Sequence, residues 1–527
     1  MKKITYSLLI LLSAGLFACK ESAFEEAYPD PAKIADTTVE KQFTGFLFAA
    51  NDYYVPKYRN YFVTLRTTLN HYNQITGWVN ETGQYVPGSS GSEDVWYNYY
   101  NTMAQYRALE NVYADLTDAE QSERKIFMLA AKVFLYDYTQ RVVDLYGNIP
   151  FSEAGMLSAN GGDYTNSYAK FDSGESIYST MISDLKSIAE ELNGIQLNAG
   201  FQTSFTTQDY INGGDVEAWK KYCNSLRLRI LNRVSGTSEF SSDAQSQMAE
   251  IFGNPGTYPV VESNNENILI DIHDVNSPIN SKDLDQTFNS GLTWYINTSG
   301  KALIDFLNTN GDPRREFLFE PGENAEGEFI GIDQMAPANE QTSIAADGQI
   351  AILNRSTFNY NWYFPGTVIT ATEVDLIKAE YYAKNGDNAS AKSAYEKAIG
   401  ESVDFYYYIR SLSTDNTVPL QDAPSAAAVS DYLAMDGVSW DDNTDKMALI
   451  LNQKWVHFNL VQPYELWAEN RRMDKFNFSF WVDNANKQTQ PPLRWTIPGN
   501  EITYNGENYK LISGDDDLNN KLFWDAN

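Results

Sequence analysis

The stretch WKKYCNSLRLR at residues 219–229 predicts a helix that buries one face. Apolar residues within it and directly after it recur at the three- and four-residue spacing of a single helical face: Trp219, Tyr222, Cys223, Leu226 and Ile230. A free cysteine on such a face packs as a small hydrophobic group, so Cys223 is predicted to be a core residue. The stretch lies within a helix predicted over residues 215–235 and indicates a helical protein.

Helical periodicity is also present on either side of this stretch. Residues from about 40 to 145 are predicted to be helical, with a loop at 87–93. Residues 118–145 predict one long amphipathic helix, which ends where Gly147 and Pro150 interrupt the pattern. A further helix fits residues 174–192.

The C-terminal half predicts a different mixture of elements. Residues 373–384 and 389–399 predict a helical hairpin of the tetratricopeptide type, because small side chains let two helices approach closely. Residues 445–471 predict one more helix, and the tail after residue 476 is predicted to be irregular. Trp96 and Trp455 lie on helical faces and are predicted to be core residues.

Residues 253–366 are rich in Gly, Asn, Thr, Pro and Ser, and helical periodicity fades there. They predict a loop-rich insert with a few short strands and short helices. Long irregular segments inside a compact protein usually carry function. The predicted fold class is therefore mostly α, with tetratricopeptide-like helical hairpins and one loop-rich region.

Composition excludes some classes of partner. The chain has 527 residues and a formal net charge of −31. Such an excess of acid argues against binding to nucleic acid, whose phosphates need basic patches. After residue 19 no apolar run is long enough to cross a bilayer.

The N-terminus predicts export and a lipid anchor. Lys2-Lys3 precede an apolar run that ends in Leu16-Phe17-Ala18-Cys19, as in a secretory signal peptide. A cysteine directly after a small residue resembles the lipobox of bacterial lipoproteins, in which that cysteine is acylated. We therefore expect a lipoprotein signal peptide at 1–18, lipidation of Cys19 and a flexible tether at 19–39. An ordinary signal peptide with a cysteine nearby is the alternative.

The sequence contains no recognisable catalytic motif. Its three histidines, His71, His273 and His457, are far apart and form no zinc-binding motif. A glycosidase needs only two carboxylates, and sequence spacing leaves that possibility open. Asp515-Asp516-Asp517 lacks the spacing of an EF-hand, so a structural calcium ion is conceivable but unsupported, and no cofactor is predicted.

Several segments follow one another along the chain: VDLYGNIPF at 143–151, WKKYCNSLRLR at 219–229, NGDPR at 310–314, the hairpin at 372–399, QKW at 453–455, YELW at 464–467, Arg471-Arg472 and KLFWD at 521–525. Taken together and in this order, they resemble the SusD/RagB family of nutrient-binding outer-membrane lipoproteins of Bacteroidetes. The resemblance covers nearly the whole chain after Cys19. The polar residues in these motifs are predicted to be structural, because Asn224, Arg227, Arg229, Arg471 and Arg472 can bond loop carbonyls or pair with acidic residues.

This resemblance implies a single SusD-like helical domain over residues 40–527, without catalytic activity. It implies a protein that is lipid-anchored in the outer membrane, faces the medium, and delivers glycans to a SusC-type TonB-dependent transporter. Binding of peptides instead of glycans, a helical glycoside hydrolase, and a tetratricopeptide scaffold that binds only protein remain the alternatives.

The family motifs do not carry the ligand site, so candidates come from loop position and chemistry. Aromatic faces stack on sugar rings, and Asn and Gln amides bond hydroxyl groups. The candidate ligand-binding residues are His71, Tyr72, Asn73, Gln74, Trp78, Asn80, Trp294, Tyr295 and Trp362.

Overall fold

The computed structural model describes residues 37–289 and 297–526. The predicted signal peptide, Cys19 and the predicted tether up to residue 36 lie outside the described residues. The α-helices are α1 Val39–Ala49, α2 Asn51–Tyr54, α3 Leu69–Tyr72, α4 Ser89–Ala114, α5 Asp118–Tyr146, α6 Gly174–Asn193, α7 Ala199–Gln208, α8 Val216–Val234, α9 Ser241–Gly253, α10 Gln286–Asn289, α11 Lys301–Asn310, α12 Arg315–Leu318, α13 Ala338–Ala346, α14 Ala371–Lys384, α15 Asn388–Leu412, α16 Ala426–Leu433, α17 Lys446–Phe458, α18 Pro463–Met473, α19 Gly499–Tyr504 and α20 Gly506–Tyr509. The mostly α fold class is thus confirmed.

Strands are short and occur as three antiparallel pairs within the described residues. They are β1 Ile149–Pro150 with β2 Phe171–Asp172, β3 Ile268–Ile270 with β6 Gly366–Ile369, and β4 Phe319–Glu320 with β5 Ile352–Leu353. Four of these six strands lie between α9 and α14, where the sequence predicts a loop-rich region. The longest helix described in that region, α11, has 10 residues.

Helix α5 has the predicted bounds to within one residue, and its ends have clear causes. Thr117 and Glu120 form a capping box at its start. Gly147 follows its last residue with φ 78°, a backbone conformation that favours glycine. The prediction of an amphipathic helix holds only for the first half, since residues 133–147 are all buried. This burial encloses several charged side chains.

Helix α8 contains the WKKYCNSLRLR stretch. The Asp215 side chain caps its first turn by accepting hydrogen bonds from the N–H groups of Glu217 and Ala218. Cys223 is fully buried, and its Sγ lies 3.5 Å from the carbonyl oxygen of Leu185. The prediction of a core cysteine is confirmed.

The predicted hairpin is present as α14 and α15, and α15 continues to Leu412, well beyond the predicted end. Apolar side chains in its interface are buried, and they include the small residues Ala379, Ala391 and Ala398. Trp96 and Trp455 are also buried, as predicted.

Three predicted boundaries are wrong. Residues 445–471 form two helices, α17 and α18, because the chain turns after Phe458 and Pro463 starts a new helix. Helix α4 begins at Ser89, inside the predicted loop at 87–93. The tail contains the short helices α19 and α20.

A network of buried ion pairs joins five helices: α5, α8, α14, α17 and α18. Its members are spaced three, four or seven residues apart along each helix, so each helix presents its charges on one face. No member has a side chain more than 7% exposed. The carboxylates are Asp137, Asp144, Glu373, Glu380, Glu465 and Glu469, and the cations are Arg141, Arg229, Arg233, Lys454 and Arg472.

The centre of the network is the most highly bonded part. Arg472 donates to Glu380 through both Nη atoms at 2.7 Å and to Glu469 at 2.7 Å. Lys454 donates to both carboxylates, and Arg233 donates to Glu469 and Glu465. These cations hold the pKa of Glu380 and Glu469 below the ordinary value, despite burial that acts in the opposite direction.

The arginines of the sequence motifs make structural contacts within the protein, as predicted. Arg229 pairs with Asp137 and Glu373 and also donates to the Val368 carbonyl at 2.6 Å. Arg471 donates to main-chain carbonyls, and Asn224 donates to the Pro259 carbonyl at 3.0 Å. The helical core is therefore fixed by charge pairing as well as by apolar packing. None of the helices in the described residues has the length and apolar character needed to span a membrane.

Replacing Glu469 with glutamine tests the network. The change keeps the shape of the side chain but leaves Arg233, Lys454 and Arg472 with excess buried positive charge. We expect the free energy of unfolding to fall by about 3–5 kcal/mol, measured by urea denaturation. Asp441→Asn, at the exposed pair with Lys392, is the matched control and should leave the urea midpoint unchanged. Equal effects of the two variants would contradict a structural role for the network.

The same carboxylates predict a pH dependence of stability. Glu380 and Glu469 have folded-state pKa values below the ordinary 4.5. Their contribution is therefore present above that pH and is lost as the pH falls, because the unfolded chain takes up protons first. We expect the urea concentration at the unfolding midpoint, measured between pH 7 and about pH 3, to decrease once the pH is below about 4.5. The decrease should be less steep in Glu469→Gln. An unchanged slope in the variant would refute this assignment.

Candidate ligand-binding cavity

An open cavity of about 420 Å³ lies next to Trp78, within the size range of small-molecule sites. The indole of Trp78 is half-buried, so part of it remains accessible. The lining residues are Arg66, Gly77, Trp78, Val79, Glu81, Thr342, Ala345 and Ala346. One wall comes from the segment after the first helices, and the opposite wall comes from α13, in the loop-rich region.

The backbone around Trp78 is fixed from both sides. The N–H of Gly77 donates to the carbonyl of Thr298 at 2.7 Å, and the N–H of Gly300 donates to the carbonyl of Ile75 at 3.0 Å. A Cβ atom on Gly77 would lie 1.8 Å from a methyl group of Ile332, so only glycine fits there. This close approach brings the loop-rich region against the segment that carries Trp78.

Trp78 rests on a stack of aromatic rings. The His71 imidazole lies parallel to it, with ring centroids 4.7 Å apart and an interplanar angle of 6°. Tyr85 lies against His71 at 5.7 Å and 25°. Burial lowers the pKa of His71 to about 3, so the imidazole is neutral at neutral pH and packs as an aromatic ring. The stack holds the indole in one orientation before any ligand arrives.

Two charged side chains line the same cavity. A π-helix at Tyr58–Leu65 leads directly into Arg66. The Arg66 guanidinium carbon lies 4.1 Å from the Phe62 ring centroid and 5.2 Å from that of Trp78. Burial lowers the pKa of Arg66 to about 10, which still leaves it charged at neutral pH. Exposed Glu81 supplies a carboxylate.

This arrangement can hold a flat, hydroxyl-rich ligand. The indole face can stack on the CH groups of a sugar ring, while Arg66 donates and Glu81 accepts hydrogen bonds. Among the described residues that line the cavity, Glu81 alone carries a carboxylate. The paired carboxylates that glycoside hydrolysis requires are therefore not both present in this lining.

The other residues predicted between positions 71 and 80 lie beneath or beside the cavity. Tyr72 is buried, donates to the Tyr85 carbonyl at 3.0 Å, and lines a different cavity. Asn73 donates to the Leu69 carbonyl, Gln74 to the Ser479 carbonyl, and Asn80 to the Gln334 carbonyl. These side chains shape the site through bonds within the protein, and direct contact of any of them with a ligand stays a prediction.

The remaining sequence candidates lie elsewhere in the chain. Trp362 is half-buried, with the Lys282 ammonium 4.6 Å from its ring centroid, and it is not among the residues that line the Trp78 cavity. A role for Trp362 in binding stays a prediction. Trp294 and Tyr295 lie outside the described residues.

Sequence reasoning missed Arg66, Glu81 and the α13 wall. Arg66 lies 12 residues before Trp78 and shares no helical or strand period with it, so no local pattern joins the two. Thr342, Ala345 and Ala346 are small residues that leave room for a ligand, and they face Trp78 only through the tertiary fold. The sequence could indicate only the part of the site at residues 71–80, because its aromatic and amide residues lie close together in the chain.

Comparison with known proteins agrees with this architecture. The comparison with curated protein sequences returns no match. Among solved structures, a chitin-binding protein matches with a TM-score of 0.71 and 20% identity, over 93% of this chain and 100% of its own. A SusD-like protein of Bacteroidetes matches with a TM-score of 0.72 and 19% identity over the same shares. A SusD homologue from Bacteroides fragilis matches with a TM-score of 0.71 and 18% identity, over 93% of this chain and 99% of its own.

At these identities the solved structures establish the fold alone. The family model of SusD-like proteins, described as starch-binding and associating with the outer membrane, matches residues 37–498. Because that match spans most of the chain, this protein belongs to the SusD-like family of nutrient-binding proteins associated with the outer membrane.

Proposed function

We propose that this protein is a surface lipoprotein that binds glycans in the Trp78 cavity and delivers them to a SusC-type TonB-dependent transporter. The observation that carries the proposal is the preorganised stack of Trp78 on His71 beside Arg66 and Glu81. A fixed aromatic face with polar groups at its edge suits a sugar ring, because the CH face stacks while the hydroxyl groups bond.

Preorganisation favours this cavity over the other predicted tryptophan. Trp78 has neutral His71 against one face, so no side-chain rotamer needs to be fixed when a ligand binds. The Trp362 ring has a lysine ammonium 4.6 Å from its centroid, and it does not line this cavity. Peptide binding is the alternative for the same cavity. Affinities for a panel of oligosaccharides and peptides distinguish glycan binding from peptide binding.

The proposed lipid anchor is Cys19, with residues 1–18 as its signal peptide and the chain that follows as a tether. Seventeen residues separate Cys19 from Thr37, where the described residues begin. An extended chain of that length spans at most ~60 Å. Such a tether would keep the binding domain close to the membrane and to a transporter in it. The acidic charge of −31 suits an exposed, soluble domain and gives no attraction to anionic lipid.

The proposed cavity predicts the effect of one substitution on ligand binding. Trp78→Ala removes the stacking face, and we expect affinity for the preferred oligosaccharide to fall by about 5- to 150-fold, since such a face contributes roughly 1–3 kcal/mol. Calorimetry against malto-oligosaccharides, chito-oligosaccharides and short peptides measures this. Trp362→Ala is the matched control and should bind normally. Equal loss in both variants, or binding of peptides alone, would reject the glycan site at Trp78.

The proposed anchor and partner predict a second result. The wild-type chain should incorporate labelled palmitate and co-purify from outer membranes with a β-barrel transporter. Cys19→Ala should lose both the label and the membrane association while its isolated domain still binds ligand, because the anchor and the cavity are separate parts of the chain. Recovery of labelled wild-type protein from the outer membrane without a transporter would remove the partner from the proposal.

A further inference from the structure

A second cavity, of about 380 Å³, lies where α18 ends and the chain continues without regular secondary structure. We call it the Phe groove. Its lining includes Tyr72, Trp467, Arg471, Phe476, Phe478 and Phe480. None of these residues lines the Trp78 cavity.

One wall of the Phe groove is a row of aromatic rings. Phe476, Phe478 and Phe480 alternate with exposed Asn477 and Ser479, so the rings fall on one side of the extended chain. The rings of Phe476 and Phe478 stack at 4.5 Å and 16°, and Phe480 meets Phe478 edge-on at 6.2 Å. All three are half-buried, so each keeps accessible ring surface. Buried Trp455 supports Phe476 and Phe478 from below, at 5.1 and 5.2 Å.

The facing wall is polar and holds a guanidinium over an aromatic ring. The Arg471 guanidinium carbon lies 3.6 Å from the Trp467 ring centroid. Arg471 donates to the carbonyls of Trp467, Leu493 and Asp144, at 3.2, 2.7 and 2.8 Å. These bonds use three of its five N–H donors. The side chain is therefore held in place with donor capacity to spare.

The charges of the Phe groove balance. Arg471 and Lys521 are basic, Asp474 and Asp525 are acidic, and Lys521 lies 3.5 Å from Asp525. A lining with no net charge offers no electrostatic preference for an anion or a cation. Aromatic faces beside amide, hydroxyl and guanidinium groups suit instead a neutral ligand with CH faces and many hydroxyl groups.

The two cavities are built from similar parts and draw on the same segment, since Tyr72 lines one and Trp78 lines the other. Each combines an accessible aromatic ring, a guanidinium stacked on an aromatic ring, and a carboxylate. The ring contacts that support Trp78 continue from Tyr85 to Phe480, whose ring centroids are 6.0 Å apart. The segment from His71 to Tyr85 thus separates the cavities and contributes a ring to each side.

From these contacts we propose that the Phe groove is a second carbohydrate-binding site, in which a neutral sugar ring stacks on Phe478 and bonds Arg471. It rests on the proposed function in one respect, because it assigns the same class of ligand to a separate place. One chain would then hold sugar at two points on opposite sides of the His71–Tyr85 segment.

Fluorine NMR of protein labelled with 5-fluorotryptophan can test each cavity separately. Trp78 lines one cavity and Trp467 lines the other, and single Trp→Phe variants assign their resonances among the 11 tryptophans. The probes are maltohexaose and chitohexaose, with trialanine as a peptide control. We expect at least one sugar to shift both resonances, with a separate apparent affinity for each.

Substitution then decides the site. Phe478→Ala should weaken the apparent sugar affinity read at Trp467 at least tenfold and leave the affinity read at Trp78 unchanged. Trp78→Ala should leave the affinity read at Trp467 unchanged. Gln490→Arg, which places a long charged side chain in the groove from an exposed position, should act like Phe478→Ala and covers the case in which that variant does not fold. Phe48→Ala, at a ring 44% exposed outside both cavities, is the control.

Failure of this inference is distinct from failure of the proposed function. A sugar shift at Trp78 with none at Trp467 would overturn the second site and leave the first. A Trp467 shift that persists in both groove variants would also overturn it. A shift at Trp467 caused by trialanine alone would overturn the sugar assignment. Absence of any sugar response at either tryptophan would overturn both proposals.

Discussion

Buried charge pairing between Arg233, Lys454 and Arg472 on one side and Glu380 and Glu469 on the other is the interaction on which the helical scaffold depends. A buried ion is costly unless its partners stay in place, so the five helices that supply the network must keep one arrangement. Apolar packing alone tolerates small shifts of one helix against another. The network therefore contributes specificity of arrangement, because each central carboxylate is bonded by cations from at least two other helices.

The same helices hold the floor of the candidate site. The Trp455 indole N–H on α17 donates to the Asn73 carbonyl at 2.8 Å, and the Asn470 amide on α18 donates to the Asn73 side chain at 2.9 Å. These bonds attach the segment that carries His71 and Trp78 to the ion-paired core. The opposite wall, α13, belongs to the loop-rich region, where short strands and close backbone contacts replace long helices. A rigid floor with a wall from loops is a common way to combine a stable scaffold with a variable ligand site.

The sequence predicted most of the scaffold because its cues are local. Periodicity and caps place α5, α6 and α8 to within about two residues, and the burial of Cys223, Trp96 and Trp455 follows from helical faces. The single helix predicted at 445–471 failed because the apolar pattern continues across Pro463, although the chain turns there. For the site, aromatic and amide content pointed to residues 71–80, and the accessible indole of Trp78 lies there.

By itself the amino-acid sequence determined the helical class, the lipoprotein-like start, the family motifs and the structural role of their arginines, since each depends on residues close together in the chain. Only the tertiary structure decided which side chain meets which. In the folded chain Arg66 lies close to Trp78, and α13 lines the same cavity. Buried His71 stacks on Trp78, and the Phe groove lies beside Arg471. The physical reason is that a cavity is formed by residues far apart in sequence, whose approach is fixed by packing and buried hydrogen bonds.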